Sequence, residues 1–312
     1  MTDPAFTILL PVHRPPAMLP FAINSVLAQQ RRDFELFVIC DGAPPETVEV
    51  ARRHAADDPR IQVFDHPKGE RHGEAYRDQA LRQARGRFVC QIGDDDLWLP
   101  HHLDEMAKLL DHVDFGNLPQ VEVALDGTLA IRPGTLADAN LRRTMVTEAF
   151  NFFGPTVAGY RIEAYRALPV GWSPAPRGVP TDFFMWRKFL AHHDLRFGSR
   201  IAVTALKFSA HARKGWSLEQ RRSEVAAWAA RLSDPAACDL IAQSALSRLS
   251  QSTVAPATAR AIERRLRRQL RASKERSDKL ARKLHKTRRS WSWRMMRPFR
   301  RLARRIRRLA AR

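Results

Sequence analysis

Short apolar runs alternate with longer amphipathic stretches over the first 110 residues. Runs rich in β-branched and aromatic residues predict buried strands, and apolar residues spaced three and four apart predict helices. The predicted strands cover residues 6–12, 34–40, 61–64 and 88–92. The predicted helices cover residues 19–30, 46–54, 73–85 and 101–110. Four such alternations predict an α/β domain, a mostly parallel sheet with helices on both faces.

The alternation stops after residue 110. Residues 121–131, interrupted by Asp126-Gly127, predict a β-hairpin, because this dipeptide favours a tight turn. A Pro- and Gly-rich loop at 169–180 precedes a helix that starts at Thr181-Asp182. The other predicted elements are an apolar segment at 152–157, helices at 162–167 and 183–191, strand character at 195–208, a loop at 211–216 and a helical region ending near residue 250.

Three consecutive carboxylates, Asp94, Asp95 and Asp96, follow the predicted strand 88–92. Ligands of open α/β sheets bind at the carboxyl ends of strands, which is where this triplet falls. Adjacent like charges repel unless a cation neutralises them, and a hard divalent cation carrying phosphate oxygens would do so. A solvated acidic turn is the alternative, but the position directly after a buried strand favours a metal site. No Gly-x-Gly-x-x-Gly or Walker-type loop is present, which disfavours dinucleotide-dependent dehydrogenases and P-loop enzymes.

The net charge of +20 is confined to the C-terminal part of the chain. Residues 256–312 hold 23 Lys and Arg against 3 Asp and Glu, whereas residues 1–255 hold 30 of each sign. The chain therefore consists of a neutral body and a basic tail. The neutral body with its acidic centre disfavours nucleic-acid binding, although a nucleic-acid-binding tail stays an alternative.

Apolar residues within the tail recur with helical spacing. A narrow apolar stripe runs through residues 291–312, on a helix otherwise covered with Arg, and Trp291 and Trp293 stand at its start. Such a basic amphipathic helix suits the surface of an anionic membrane, so we expect peripheral attachment through this segment. An acidic partner, or pairing with a second copy of the chain through residues 262–284, stays open.

Cysteine usage and hydropathy indicate the compartment. Cys40, Cys90 and Cys238 lack metal-ligand spacing, so we expect buried thiols in a reducing environment. The sequence contains neither a signal-peptide pattern nor an apolar stretch of 18 residues. We therefore expect a cytoplasmic protein that attaches peripherally to the inner face of the membrane.

Residues 5–110 resemble a family 2 glycosyltransferase of the GT-A fold, and residues 154–190 resemble, less specifically, the acceptor side of bacterial members. Two positions depart from the family pattern. Gly93 stands where many relatives carry an acidic residue, and His13-Arg14 replaces a Tyr-Asn-type pair. The segments that carry the resemblance are FTILLPV at 6–12, SVLAQ at 25–29, FELFVICDG at 34–42, ARGRFV at 84–89 and GDDDLWLP at 93–100.

The resemblance implies a role for particular residues. Pro11 and Val12 would line the nucleotide base pocket, Asp41 would accept a hydrogen bond from uracil, and Arg77 would contact the nucleotide. Asp94 would touch the ribose or the metal, and Asp95 and Asp96 would hold Mn²⁺ or Mg²⁺ against the diphosphate. Asp182 matches the general base, and His211 lies where some relatives have a metal or diphosphate contact.

The implied activity is an inverting, metal-dependent transfer of a sugar from a nucleotide sugar, with UDP favoured, to a glycan or lipid-linked acceptor. The expected organisation is a GT-A domain over residues 1–215, divided at residue 110 into a nucleotide-sugar half and an acceptor half. A helical extension over 216–255 and the basic tail over 256–312 follow. A nucleotidyltransferase, or a nucleotide-sugar-binding protein without transfer activity, stays an alternative.

Overall fold

The structure is a computed structural model that describes residues 3–253 together with Lys279 and Arg282. The chain divides into two units, Met1–Ser252 and Thr253–Arg312, and the description below concerns the first. The predicted basic helix, its membrane-binding segment at 291–312 and the pairing segment at 262–284 lie outside the described residues, apart from those two side chains. These features stay predictions.

The first unit contains eleven strands, one 3₁₀ turn and nine helices among its described residues. The strands are β1 Phe6–Val12, β2 Phe34–Asp41, β3 Ile61–His66, β4 Phe88–Gln91, β5 Leu97–Trp98, β6 Phe115–Asn117, β7 Gln120–Val123, β8 Leu129–Arg132, β9 Ala158–Arg161, β10 Phe197–Ser199 and β11 Ala205–Leu206. The helices are α1 Leu19–Leu27, α2 Pro45–Asp57, α3 Glu74–Leu81, α4 His102–Leu110, α5 Ala139–Thr147, α6 Ile162–Arg166, α7 Thr181–Leu190, α8 Leu218–Leu232 and α9 Pro235–Thr253, and the 3₁₀ turn is Pro155–Val157.

Seven strands form the central sheet in the order β10-β6-β9-β4-β1-β2-β3. β9 runs antiparallel to β4 and β6, and the other neighbours in the sheet are parallel. All eight residues of β2 are buried, as expected for a parallel strand covered on both faces. The predicted fold class is therefore confirmed: a mostly parallel α/β sheet in which β1, β2 and β4 end at one edge.

The four predicted strands of the first 110 residues agree with β1 to β4 within two residues at each end. The predicted hairpin is also confirmed, because β7 and β8 pair antiparallel around Gly127, whose φ of +77° suits glycine. The strand character at 195–208 is divided between β10 and β11, which belong to different sheets. Helix α5 was not predicted, since only Met145 of its side chains is buried and the apolar pattern is weak.

Helices α8 and α9 form the predicted helical region beyond residue 216. α8 begins with a capping box, in which the Ser217 hydroxyl accepts from the Gln220 amide and the Gln220 side chain accepts from the Ser217 amide. Both helices contribute to a second apolar cluster, which also contains Leu97 and Leu99 beside the acidic triplet. The domain boundaries predicted at residues 110, 215 and 255 stay predictions.

All three cysteines are free and buried, and burial raises the pKa of the Cys40 thiol to about 11. Within the described ranges, none of the helices combines the length and the apolar character needed to cross a bilayer.

Gly86 is the closest packed point between the β4 entry loop and β1. A Cβ atom at this position would lie 2.3 Å from the Thr7 backbone nitrogen. We expect Gly86→Ala to lower the free energy of unfolding by about 1–3 kcal/mol, because backbone cannot yield as a side chain can. Gly215→Ala is the matched control, since a Cβ there meets nothing within 4 Å. Chemical denaturation that gives equal stabilities for the two variants would contradict this packing.

Candidate active site

One cavity of about 370 Å³ opens at the sheet edge where β1, β2 and β4 end. It brings together eight of the nine side chains that the sequence singled out. His211 is the ninth; it is exposed on the loop before α8 and does not line the cavity. The predicted residues that do line it are Pro11, Val12, Asp41, Arg77, Asp94, Asp95, Asp96 and Asp182.

The acidic triplet occupies one wall of this cavity, and its carboxylates are at most 9% exposed. Arg14, in the loop after β1, donates to both oxygens of Asp94 at 2.7 and 2.6 Å and also lies 3.2 Å from Asp95 Oδ1. Arg221 of α8 donates to Asp95 Oδ2 at 2.5 Å. The triplet is thus neutralised by side chains from distant parts of the chain.

Asp96 is the most deeply placed of the three carboxylates. Its Oδ1 accepts from the Phe208 amide at 3.0 Å, and its Oδ2 accepts from the Thr156 hydroxyl. The Lys207 ammonium lies 3.7 Å from Oδ2, and the charge of Asp96 raises the pKa of Lys207. Asp96 therefore joins β11 and the 3₁₀ turn to the end of β4.

Asp95 carries the clearest electrostatic perturbation within the triplet. Burial, followed by the charges of Asp96 and Asp94, raises the pKa of Asp95 to about 6, although Arg14 and Lys207 oppose the shift. A carboxylate in this state gains from additional positive charge beside it. Asp95 is therefore the member of the triplet that a bound cation would stabilise most.

The donor set fits a divalent cation in kind and in charge. Buried carboxylate oxygens are the ligands that Mg²⁺ and Mn²⁺ prefer. Arg14, Lys207 and Arg221 already balance the three carboxylates, so an added diphosphate would need further positive charge. In the arrangement seen, however, all six carboxylate oxygens are engaged, and no three acidic, His or Cys side chains of the described residues converge on one point. A cation would therefore have to displace arginine contacts.

Arg77 of α3 lies on the opposite wall, 5% exposed. Its Nη2 donates to the His72 carbonyl at 2.9 Å, and its guanidinium lies 4.9 Å from the ring centroid of Trp172. Its Nε and Nη1 find no hydrogen-bond partner within the described part of the chain, and burial lowers the pKa of Arg77. A buried cation with open donors beside a cavity is arranged to receive an anion.

Asp41, at the end of β2, is held by the loop that precedes α3. Its Oδ1 accepts from the Gly69 amide at 2.6 Å and its Oδ2 accepts from the Lys68 ammonium at 2.5 Å. Gly73 has a φ of +66°, and a Cβ there would lie 2.6 Å from Asp41 Cγ, so only glycine allows this approach. In the described structure Asp41 thus organises the loop as well as lining the cavity.

Asp182 lies in the first turn of α7, where a carboxylate suits the helix dipole. Burial raises the pKa of Asp182, while a hydrogen bond from the Phe183 amide and the charges of Lys207 and Arg77 act against the rise. The neighbouring Thr181 donates to Glu74 Oε1 at 2.6 Å, which ties the start of α7 to the start of α3. Asp182 is therefore a buried carboxylate with an elevated pKa facing the cavity, which is the state of a proton acceptor.

Sequence reasoning missed Lys207, Arg221 and Thr156, and assigned no ligand to Arg14. Lys207 stands inside an apolar strand segment, where a charged residue was a signal that could have been followed. Arg221 is one of many arginines on a charged helix and gave no signal. Its place beside Asp95 follows only from how α8 packs.

Several comparisons bear on identity. Residues 7–168, slightly more than half of the chain, match the family described as glycosyl transferase family 2. The GalNAc(5)-diNAcBac-PP-undecaprenol β-1,3-glucosyltransferase of Campylobacter jejuni is 29% identical over 118 residues, covering 36% of this chain and 38% of that protein. The putative glycosyltransferase EpsH of Bacillus subtilis is 26% identical over 108 residues, covering 35% and 31%. The chain thus spans less than half the length of these curated relatives.

Solved structures give the same fold. The crystal structure of S. aureus TarS 1–349 superposes with a TM-score of 0.53 at 18% identity, covering 78% of this chain and 71% of that one. The same TarS fragment in complex with UDP-GlcNAc gives a TM-score of 0.52 at 18% identity, covering 65% and 58%. The chain belongs to glycosyltransferase family 2 and is a glycosyltransferase of the GT-A fold.

Proposed function

We propose that the protein transfers a sugar, with inversion at the anomeric carbon, from a nucleoside-diphosphate sugar to a hydroxyl group of a glycan or lipid-linked acceptor. The observation that carries this proposal is that the acidic triplet, Arg77 and Asp182 line one cavity. These groups supply anion binding and proton removal, which the reaction needs. A UDP-sugar is the favoured donor, because TarS, similar in fold, is solved with UDP-GlcNAc and with UDP.

The donor would bind across the ends of β1 and β2. Pro11 and Val12 would line the base pocket, and Asp41 would face the uracil ring. Arg77 would contact the phosphates through the Nε and Nη1 donors that have no partner within residues 3–253. Because Trp172 packs against the Arg77 guanidinium, the cation is held in place before the donor arrives.

Asp94, Asp95 and Asp96 would hold Mn²⁺ or Mg²⁺, and His211 would join them only if its loop moves to the cavity. When bound, such a cation acts as a Lewis acid that stabilises charge on the leaving diphosphate. The protein's own contribution at this wall is to keep three carboxylates ionised and oriented in a largely dry site. Arg14, Arg221 and the Phe208 amide do this in the described structure.

Asp182 would remove the proton from the acceptor hydroxyl as that hydroxyl attacks the anomeric carbon from the face opposite the leaving group. A single displacement of this kind inverts the configuration. The raised pKa of Asp182 makes it a better proton acceptor than an exposed aspartate, and Lys207 keeps it ionised at neutral pH.

The acceptor and the location follow from weaker support. The Campylobacter jejuni relative is named for an undecaprenol-linked substrate, which favours a lipid-linked acceptor at a membrane. We propose a cytoplasmic enzyme that is held peripherally at the inner face of the membrane by residues 291–312. Self-association through residues 262–284 belongs to the same proposal.

The base role of Asp182 is tested by Asp182→Asn. We expect unchanged donor affinity and a loss of about 10²–10⁴-fold in turnover, the usual contribution of a general base. In the parent protein, turnover should fall as the pH drops through a pKa above the ordinary aspartate value of 3.8. The assay is release of nucleoside diphosphate from the sugar nucleotide, with the anomer of the released sugar followed by NMR.

The exposed Asp239→Asn variant is the matched control and should keep full turnover. Near-normal release by Asp182→Asn would remove Asp182 from the base role. Early release of a sugar with the configuration of the donor would contradict inversion.

Arg77→Met should separate binding from stability. We expect an unchanged or higher melting temperature, because the variant removes a buried cation with open donors. UDP affinity should fall roughly 10–100-fold, the range of a lost charge-assisted hydrogen bond. Thermal unfolding and calorimetric titration measure the two effects.

Arg213→Met is the contrasting control. Arg213 is also buried but is paired with Glu224 at 2.5 Å, away from the cavity. Its loss should cost about 3 kcal/mol of stability, because a buried carboxylate is left unpaired. Its UDP affinity should be unchanged. An Arg77→Met protein that binds UDP normally would disprove the proposed phosphate contact.

A further inference from the structure

Two cations on the cavity wall, Arg14 and Lys207, have their charges directed at the acidic triplet. Arg14 holds Asp94 by two hydrogen bonds, and Lys207 faces Asp96. Both side chains are partly open to the cavity, 23% and 30% exposed, whereas the carboxylates are nearly enclosed. Arg221, the third cation, does not line the cavity and approaches Asp95 away from its opening. Only Arg14 and Lys207 can therefore reach a ligand in the cavity.

Both cations stand on fixed backbone at two ends of the triplet. The Arg14 carbonyl accepts from the Thr47 hydroxyl at 2.9 Å. The Lys207 amide donates to the Val121 carbonyl at 2.9 Å, and its carbonyl accepts from the Val123 amide at 3.0 Å. The backbones are thus positioned by the fold, and only the long side chains need to turn to change partner.

Neither cation uses all its donors. Within residues 3–253, Arg14 Nη1 makes no hydrogen bond, and Lys207 Nζ approaches Asp96 only at 3.7 Å, beyond hydrogen-bond distance. The guanidinium fork matches phosphate as well as it matches carboxylate. Both residues can therefore accept a phosphate without unfolding any part of the site.

The charges favour an exchange of partners. In the described structure, carboxylates and cations balance, so neither a divalent cation nor a diphosphate alone fits without leaving net charge in a buried site. If both enter, the carboxylates can serve the metal while Arg14 and Lys207 turn to the phosphates. Each buried charge then keeps an opposite charge beside it.

We propose that Arg14 and Lys207 are diphosphate-binding residues of the donor site, which the free protein keeps paired with the acidic triplet and which a donor and its cation draw away from it. The inference rests on the proposed nucleotide-sugar transfer and adds two ligands to it. It also assigns a role to Arg14, at a position where the chain departs from its family.

The test uses the full chain, with Mn²⁺ alone and UDP in the presence of Mn²⁺ as separate ligands. Arg14→Gln should bind Mn²⁺ alone more tightly, roughly 3–10-fold, because Asp94 loses its competing partner. The same variant should bind UDP with Mn²⁺ roughly 10–100-fold more weakly, because a charged phosphate contact is lost. Lys207→Gln should shift both affinities in the same directions by smaller factors. Electron paramagnetic resonance of free Mn²⁺ and calorimetry of UDP give the two constants.

Arg52→Gln is the matched control, since Arg52 pairs with Asp65 in an exposed ion pair away from the cavity. It should leave both affinities unchanged. Arg14→Lys, which keeps the charge but not the fork, should recover part of the UDP affinity and covers the case in which the glutamine variant unfolds.

Opposite signs for the two ligands support the inference. A loss of both affinities would mean that Arg14 only shapes the acidic loop, and a gain or no change in UDP affinity would mean that it only blocks the metal site; either result overturns the inference. Wild-type protein that binds no nucleoside diphosphate would instead contradict the proposed function itself.

Discussion

The burial of three adjacent carboxylates at the end of β4 is the constraint on which this site depends. Unpaired, such charges would repel each other and lose hydration with nothing in return. The chain answers with Arg14 after β1, the Phe208 amide and Lys207 beside β11, and Arg221 on α8. The triplet therefore connects parts of the sequence that are more than 200 residues apart, counting from Arg14 to Arg221.

This connection explains why the helices beyond the family match pack where they do. The match ends at residue 168, yet α8 contributes Arg221 to Asp95 and apolar side chains to the cluster that contains Leu97 and Leu99. A donor site whose acidic wall is braced from the C-terminal side couples the helical extension to the cavity. On the opposite walls, Arg77 and Asp182 are each buried at an electrostatic cost that folding alone does not require. Costs of this kind are typical of residues kept for chemistry.

The sequence was sufficient for the sheet and for most of the cavity wall. Strands β1 to β4 are continuous apolar runs, and residues at their ends, such as Asp41 and Asp94, fall together because parallel strands end at one edge. The antiparallel β9 escaped because its four residues carry no strand pattern of their own; its direction is set by the neighbours it joins. The partners of the triplet escaped for a similar reason. A single Arg or Lys in a charged sequence does not reveal which carboxylate it will meet, and the exposed position of His211 depends on a loop whose path is set by tertiary packing.

The central claim is that this cavity binds a nucleoside diphosphate together with a divalent cation. The most direct measurement is a calorimetric titration of the full-length protein with UDP, dTDP, GDP and ADP, each with Mn²⁺ and again with EDTA. The account predicts that one of them, with UDP favoured, binds in the presence of Mn²⁺ and much more weakly in EDTA. If a folded protein binds none of the four with Mn²⁺ present, the acidic triplet is a structural feature of the sheet edge and the claim is wrong.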